Sequence, residues 1–234
     1  MILNKISQAI LLSGIVFLSA CSEQAPSSNN TPQSSAPTAS QAPSGPTLVN
    51  IDRQRLDIYT DFSLQSDLSH LSDNQKAMVA KLIDASKIMD DLFWKQAFGE
   101  DKQSFLAQLD DEKVRQFADI NYGPWDRLNG DEVFLSGYKE KPLGAGFYPA
   151  DITKEELNNA DVKDKTGLYS LIKRDELGNL YSTPYSEEYA VELAQAAKLL
   201  RDASKLADDK EFANYLNLRA DAIQSDDFHA SDFA

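Results

Sequence analysis

The chain has 234 residues, with 37 Asp and Glu against 23 Lys and Arg, a formal charge of −14. That balance argues against a nucleic-acid binder, because a duplex reader needs a basic face to displace counterions from phosphate and no basic run supplies one. The apolar content of 42% is enough for a sizeable core. One cysteine and two histidines exclude an intrachain disulfide and a cysteine-based zinc cage, and they leave little for other zinc chemistry.

Residues 1–20 have the three parts of an export signal: Lys5, an apolar run from Ile6 to Leu18, and then small residues. The run is too short for a durable membrane span. Leu18-Ser19-Ala20-Cys21 resembles the lipobox of bacterial lipoproteins, which implies acylation of Cys21 and membrane lipid as its partner. Ser22 in place of Asp implies the outer membrane if the cell is Gram-negative. The expected location is therefore a membrane-anchored lipoprotein, at the outer membrane or facing the periplasm, since two or more acyl chains suffice for stable anchoring. Residues 21–47 carry five of the nine prolines and no large apolar side chain. Such a segment cannot offset its ordering entropy and is expected to be a disordered tether.

The folded region is expected over 48–234. Leu56, Ile58, Tyr59 and Phe62 recur at roughly helical spacing, which predicts a helix within Ile51–Leu64. Ser72 with Gln75 is a capping-box pattern opening a long amphipathic helix that stops at Gly99, with Met78 and Met89 as core filler. Asp101–Leu109 and Asp111–Ile120 predict two shorter helices. Between Asn121 and Pro149, glycines and prolines punctuate a stretch holding Tyr122, Trp125, Phe134, Tyr138, Phe147 and Tyr148. So much apolar area is unusual for a plain connection. Either the segment packs across the helices or it lines a substrate cleft.

Thr153 and Glu156 form another capping-box pattern ahead of a short helix. Leu168–Arg174 and Leu180–Thr183 flank Asp175-Glu176-Leu177-Gly178-Asn179, the signature of a hairpin. Two strands alone are marginal in water, so the hairpin should lie on helices. Ser186 opens a long helix running to Ala207, and a second spans about Lys210–Gln224. Their alanine-rich contact predicts a close antiparallel pair. The polar tail from Ser225 unexpectedly carries Phe228 and Phe233. The fold class these elements define is α+β, mainly α-helical with a small β-hairpin.

The sequence contains no HExxH, GxSxG, GxxxxGK[ST] or GxGxxG. His70 and His229 are read as surface or capping residues, and Leu128 spoils a calcium loop beginning at Asp126. If the chain hydrolysed glycosides, Asp126 and Asp131 would be the first carboxylates to consider.

The run Asn121-Tyr122-Gly123-Pro124-Trp125-Asp126-Arg127-Leu128, followed by Glu140–Ala145 and Phe147-Tyr148-Pro149-Ala150-Asp151, resembles bacterial proteins related to the dipeptidyl peptidase III family of zinc metallopeptidases. Arg174–Tyr181 and Ala203–Leu216 extend the resemblance over most of 48–234. It implies the N-terminal portion of a larger two-lobed fold, an incomplete lobe on its own. That family binds zinc through a HExxGH helix and a later glutamate. This sequence has no such motif, so no catalytic or metal-binding residue carries over, and zinc is expected only in a full-length relative.

Three explanations stay open: a partial sequence of a longer enzyme, a truncated gene product, or a complete short lipoprotein serving as a binding or interaction module without enzymatic activity. In the enzyme reading the chain is inactive alone, and Asn121, Tyr122, Trp125, Asp126, Phe147 and Tyr148 line a cleft that holds a peptide. In the module reading the same residues form the ligand surface.

Overall fold

The computed structural model describes residues 45–99 and 101–234. The expected signal peptide, the acylated Cys21 and nearly all of the tether lie outside the described residues. Only the tether's last three residues, 45–47, are described; there Thr47 N donates to Ser136 Oγ at 2.9 Å, and Leu48 just beyond bridges Leu135 in antiparallel sense. Pairing with the body thus begins before residue 48.

A 3₁₀ turn at Arg53–Asp57 precedes α1 (Asp73–Ala97), α2 (Lys102–Leu106) and α3 (Glu112–Asn121). The short strands β1 (Trp125–Asp126) and β2 (Glu132–Val133) pair antiparallel, and α4 (Lys154–Asn159) follows. The hairpin β3 (Ser170–Arg174) and β4 (Leu180–Pro184) leads into α5 (Tyr185–Glu188), α6 (Ala190–Ser204), α7 (Lys210–Ser225) and α8 (His229–Asp232). The architecture is mainly helical α+β, with two separate two-stranded sheets.

Helix α1 begins where the sequence placed it. Ser72 Oγ accepts from Gln75 N while Gln75 Oε1 accepts from Ser72 N, so two otherwise unpaired amides are satisfied at once. Leu92 and Trp94 are both buried, and residues two apart lie on nearly opposite sides of a helix. Helix α1 therefore serves two apolar clusters. Trp94 joins Phe105, Leu109, Phe117, Phe134 and Leu135 in one, and Leu92 joins Leu171, Tyr189 and Leu193 in the other. Each large side chain so enclosed contributes about 1.5–3 kcal/mol relative to exposure.

The hairpin lies on helices as expected, with Leu171 and Ile172 buried. Ala196, Ala197 and Ala203 of α6 and Ala220 of α7 are completely covered, and such small side chains let neighbouring helix axes approach closely.

Several expectations are corrected. The Ile51–Leu64 helix is only the five-residue 3₁₀ turn: Leu56 is buried, but every side chain from Thr60 to His70 is exposed and Phe62 is 82% exposed. A short helix with no face to bury does not sustain itself. Met89 is exposed and is not core filler. Thr153 accepts from Glu156 N, making a one-way cap. The helix expected from Ser186 is broken at Tyr189, whose φ of −112° and ψ of 26° turn a buried ring into the second cluster. The tail folds into α8, and Phe228 stacks on Tyr169 with ring centroids 4.8 Å apart, although Phe233 stays 81% exposed. Among the described residues, no helix is long and apolar enough to cross a membrane.

Candidate functional site

The Asn121–Val133 turn is built on polar side chains that face inward. Asn121 ends α3 and is buried; its Nδ2 donates to Phe117 O at 2.8 Å, and its Oδ1 accepts from Arg127 N at 2.9 Å. Tyr122 takes the left-handed conformation at φ 55°, unusual for a side chain of this size. Its hydroxyl donates to Asp90 Oδ1 at 2.6 Å, and its ring meets Phe93 edge-on at 4.7 Å. The bond to the Asp90 carboxylate pushes the Tyr122 phenol above its ordinary pKa. Gly123 follows at φ 135°, where a Cβ would also press on the Phe98 ring at 3.3 Å.

Asp126 is fully enclosed. Arg55 Nε donates to its Oδ2 at 2.7 Å and Leu128 N donates to its Oδ1 at 3.1 Å, so both carboxylate oxygens are satisfied. The pairing raises the Arg55 guanidinium above its ordinary range, its hydrogen bond to Asp126 being the largest cause. The Asp126 carbonyl accepts from Asn129 N and Asp131 N, both at 3.0 Å, which closes the turn and brings Asp131 round at φ 60°. Trp125 is buried and donates its indole N–H to Lys139 O at 2.9 Å.

The second half of the segment rests on α1 through its main chain. Gly146 N donates to Gln96 O at 2.8 Å, and a Cβ at Gly146 would lie 2.8 Å from the carbonyl oxygens of both Lys95 and Gln96. Phe147 O accepts from Ile172 N of β3 at 3.0 Å. Between this loop and the β1–β2 turn lies a cleft of about 720 Å³, lined among others by Asp131, Glu132, Glu140, Lys141, Phe147 and Tyr148. Three carboxylates thus face one ammonium, and that one is engaged, with Lys141 Nζ 2.9 Å from Asp131 Oδ1. The volume suits a small ligand or a few residues of peptide.

Of the six residues assigned to a cleft, the structure brings Phe147 and Tyr148 to it. Asn121, Tyr122, Trp125 and Asp126 do not line it; they build the turn that supports its wall. The Asp126–Asp131 pair is likewise split between an enclosed, ion-paired carboxylate and one on the rim. Glu132, Glu140 and Lys141 are the functional candidates that sequence reasoning missed. Their signal was present, since charged residues interrupting an aromatic, glycine-rich stretch need water or a ligand. Among the described residues, no group of three or more His, Cys, Asp or Glu is placed to hold a metal ion, and His70 and His229 are exposed.

No family model matches the chain. It is 28% identical over 244 aligned positions to Nudix hydrolase 3 of Arabidopsis thaliana, covering 78% of this chain and 32% of that protein. The solved structure of dipeptidyl-peptidase III from Caldithrix abyssi superposes with a TM-score of 0.70 at 34% identity, over 76% of this chain and 36% of the other. The enzyme of the same name from Corallococcus sp. strain EGB gives a TM-score of 0.70 at 31% identity, over 77% and 36%. The chain spans about a third of the length of each relative it matches. Its folded region has a peptidase-like fold. That region is related to dipeptidyl-peptidase III and corresponds to part of that fold.

Proposed function

We propose that this chain is the peptide-holding region of a dipeptidyl-peptidase III-like hydrolase, and that it does not itself carry the catalytic metal. The observation behind this reading is the acidic, aromatic-walled cleft of about 720 Å³ in a chain 34% identical to such a peptidase. With Asp131 paired to Lys141, a peptide's terminal ammonium would be drawn to the two further carboxylates of the lining, Glu132 and Glu140, while Phe147 and Tyr148 cover its apolar atoms. Lys141, already held by Asp131, limits how many cationic groups enter.

Resemblance to the family implies zinc, but the residues present do not fit it: the described part offers no metal-binding cluster and the sequence no HExxGH. Hydrolysis is therefore not assigned to any residue of this chain. Acylation at Cys21 would tether the cleft to a membrane surface, and mass spectrometry of the native N-terminal peptide tests that attachment.

The function is tested by two measurements on the purified chain. Calorimetric titration with tetra-alanine should show binding, and a dipeptidyl chromogenic substrate with added zinc should show no turnover. Metal-dependent turnover by pure protein would overturn the division of labour, and absence of peptide binding would overturn the cleft. The native mass then separates enzyme from module. A mass well above 26.0 kDa supports the hydrolase, and one near that of residues 21–234 plus lipid supports an anchored binding module.

A further inference from the structure

We propose that a second cavity beside Tyr148 is a side-chain subsite for a bulky apolar residue of the peptide held in the cleft; this rests on the cleft reading above. The cavity holds about 550 Å³ and shares Pro142, Leu143, Gly144 and Tyr148 with the cleft, so the two are contiguous. Its remaining walls include Ala150, Ile152 and Leu157, with Thr153 and Lys154 as the polar members.

The chemistry changes across the Tyr148 ring. On the cleft side three carboxylates set the polarity. On the far side the Thr153 hydroxyl is committed to capping α4, accepting from Glu156 N at 3.0 Å. That leaves Lys154 as the polar lining group without such a commitment, so a polar side chain entering the cavity would exchange its water for few hydrogen bonds. An aliphatic or aromatic side chain loses nothing there and removes apolar surface from water.

Leu143 adds a second reason. It lies at the junction of both cavities yet is fully exposed, at 102% of its reference area. A ligand crossing from one cavity to the other would cover it.

The walls are held in place without a ligand. Arg174 on β3 donates to both carboxylate oxygens of Glu156 on α4, at 2.6 and 2.8 Å, and its Nε lies 3.1 Å from Asp151 Oδ2. Gly146 and Phe147, set between the lining residues Gly144 and Tyr148, are fixed through their main-chain bonds to Gln96 and Ile172. A cavity clamped in this way needs little reorganisation on binding, and that favours selectivity by size.

The test is a titration of the full chain with tetra-alanine and its four single-leucine variants. At least one leucine peptide should bind about tenfold more tightly than tetra-alanine. Ala150→Trp, which fills the cavity from an exposed position, should bring that ratio close to one. Leu157→Ala, which enlarges it, should move the preference from leucine toward phenylalanine in the same peptide position. Equal affinity for all five peptides overturns the subsite while leaving the cleft intact, as does a leucine preference that survives Ala150→Trp. Failure of every peptide to bind, tetra-alanine included, overturns the cleft and the subsite together.

Discussion

Residues 121–135 and 139–149 share one texture in the sequence, aromatics spaced by glycine and proline, yet they meet opposite fates. In the first, Trp125, Phe134 and Leu135 are buried, and inward polar groups are satisfied by side chains distant in sequence. In the second, Phe147 and Tyr148 are only half-buried, the loop is tied to α1 and β3 through its main chain, and cavities open on it. Packing and cleft formation were competing readings of a single stretch. The first half is packed and the second lines open cavities, and the difference lies in whether polar side chains elsewhere reach in to neutralise the turn.

Four substitutions rank the contributions that hold these regions together. Phe134→Ala should cost about 3–5 kcal/mol in urea denaturation, since it removes a completely covered ring from the first cluster. Arg55→Ala comes next, because it leaves the Asp126 carboxylate enclosed without its cation; the loss should persist in high salt, which screens exposed pairs but not enclosed ones. Ser72→Ala, at the α1 cap, should cost about 1 kcal/mol. Leu143→Ala should change stability by no more than about 0.5 kcal/mol, because a fully exposed side chain supports no packing. A large effect at Leu143 would mean that the cleft half is packed after all.

Acid sharpens the picture from another direction. Lys198 and Lys205 hold the Asp202 carboxyl down at about 2, against an ordinary 3.8, and hydrogen bonds from Arg53 and Arg174 lower Asp111 and Glu156. A depressed folded-state value stabilises above the unfolded value and loses that contribution as pH falls through the folded one. Stability should therefore decline between about pH 4 and pH 2, read as the denaturation midpoint at successive pH values. A flat midpoint across that range would mean these ion pairs are too well solvated to matter.

Much of the helical frame was legible because its signals are local. The Ser72–Gln75 box, the Asp175–Asn179 turn and the alanine face of α6 and α7 act within a few residues or one repeat. The site was legible only in part. The aromatic context points to Phe147 and Tyr148, which line the cavity, whereas no local pattern announces that Asp126 is enclosed against Arg55, 71 residues away. Tyr189 breaks a helix that spacing alone would continue, since burial of its ring in a tertiary cluster overrides local propensity.

Whether peptide is held in the cleft between the β1–β2 turn and the 140–148 loop is decided by amide shift mapping of the isotope-labelled chain against tetra-alanine. Perturbations gathered at Asp131, Glu132, Lys141, Gly144 and Tyr148 are the predicted result. Perturbations confined to the hairpin or to α6 and α7, or no change at saturating peptide, would contradict peptide binding there.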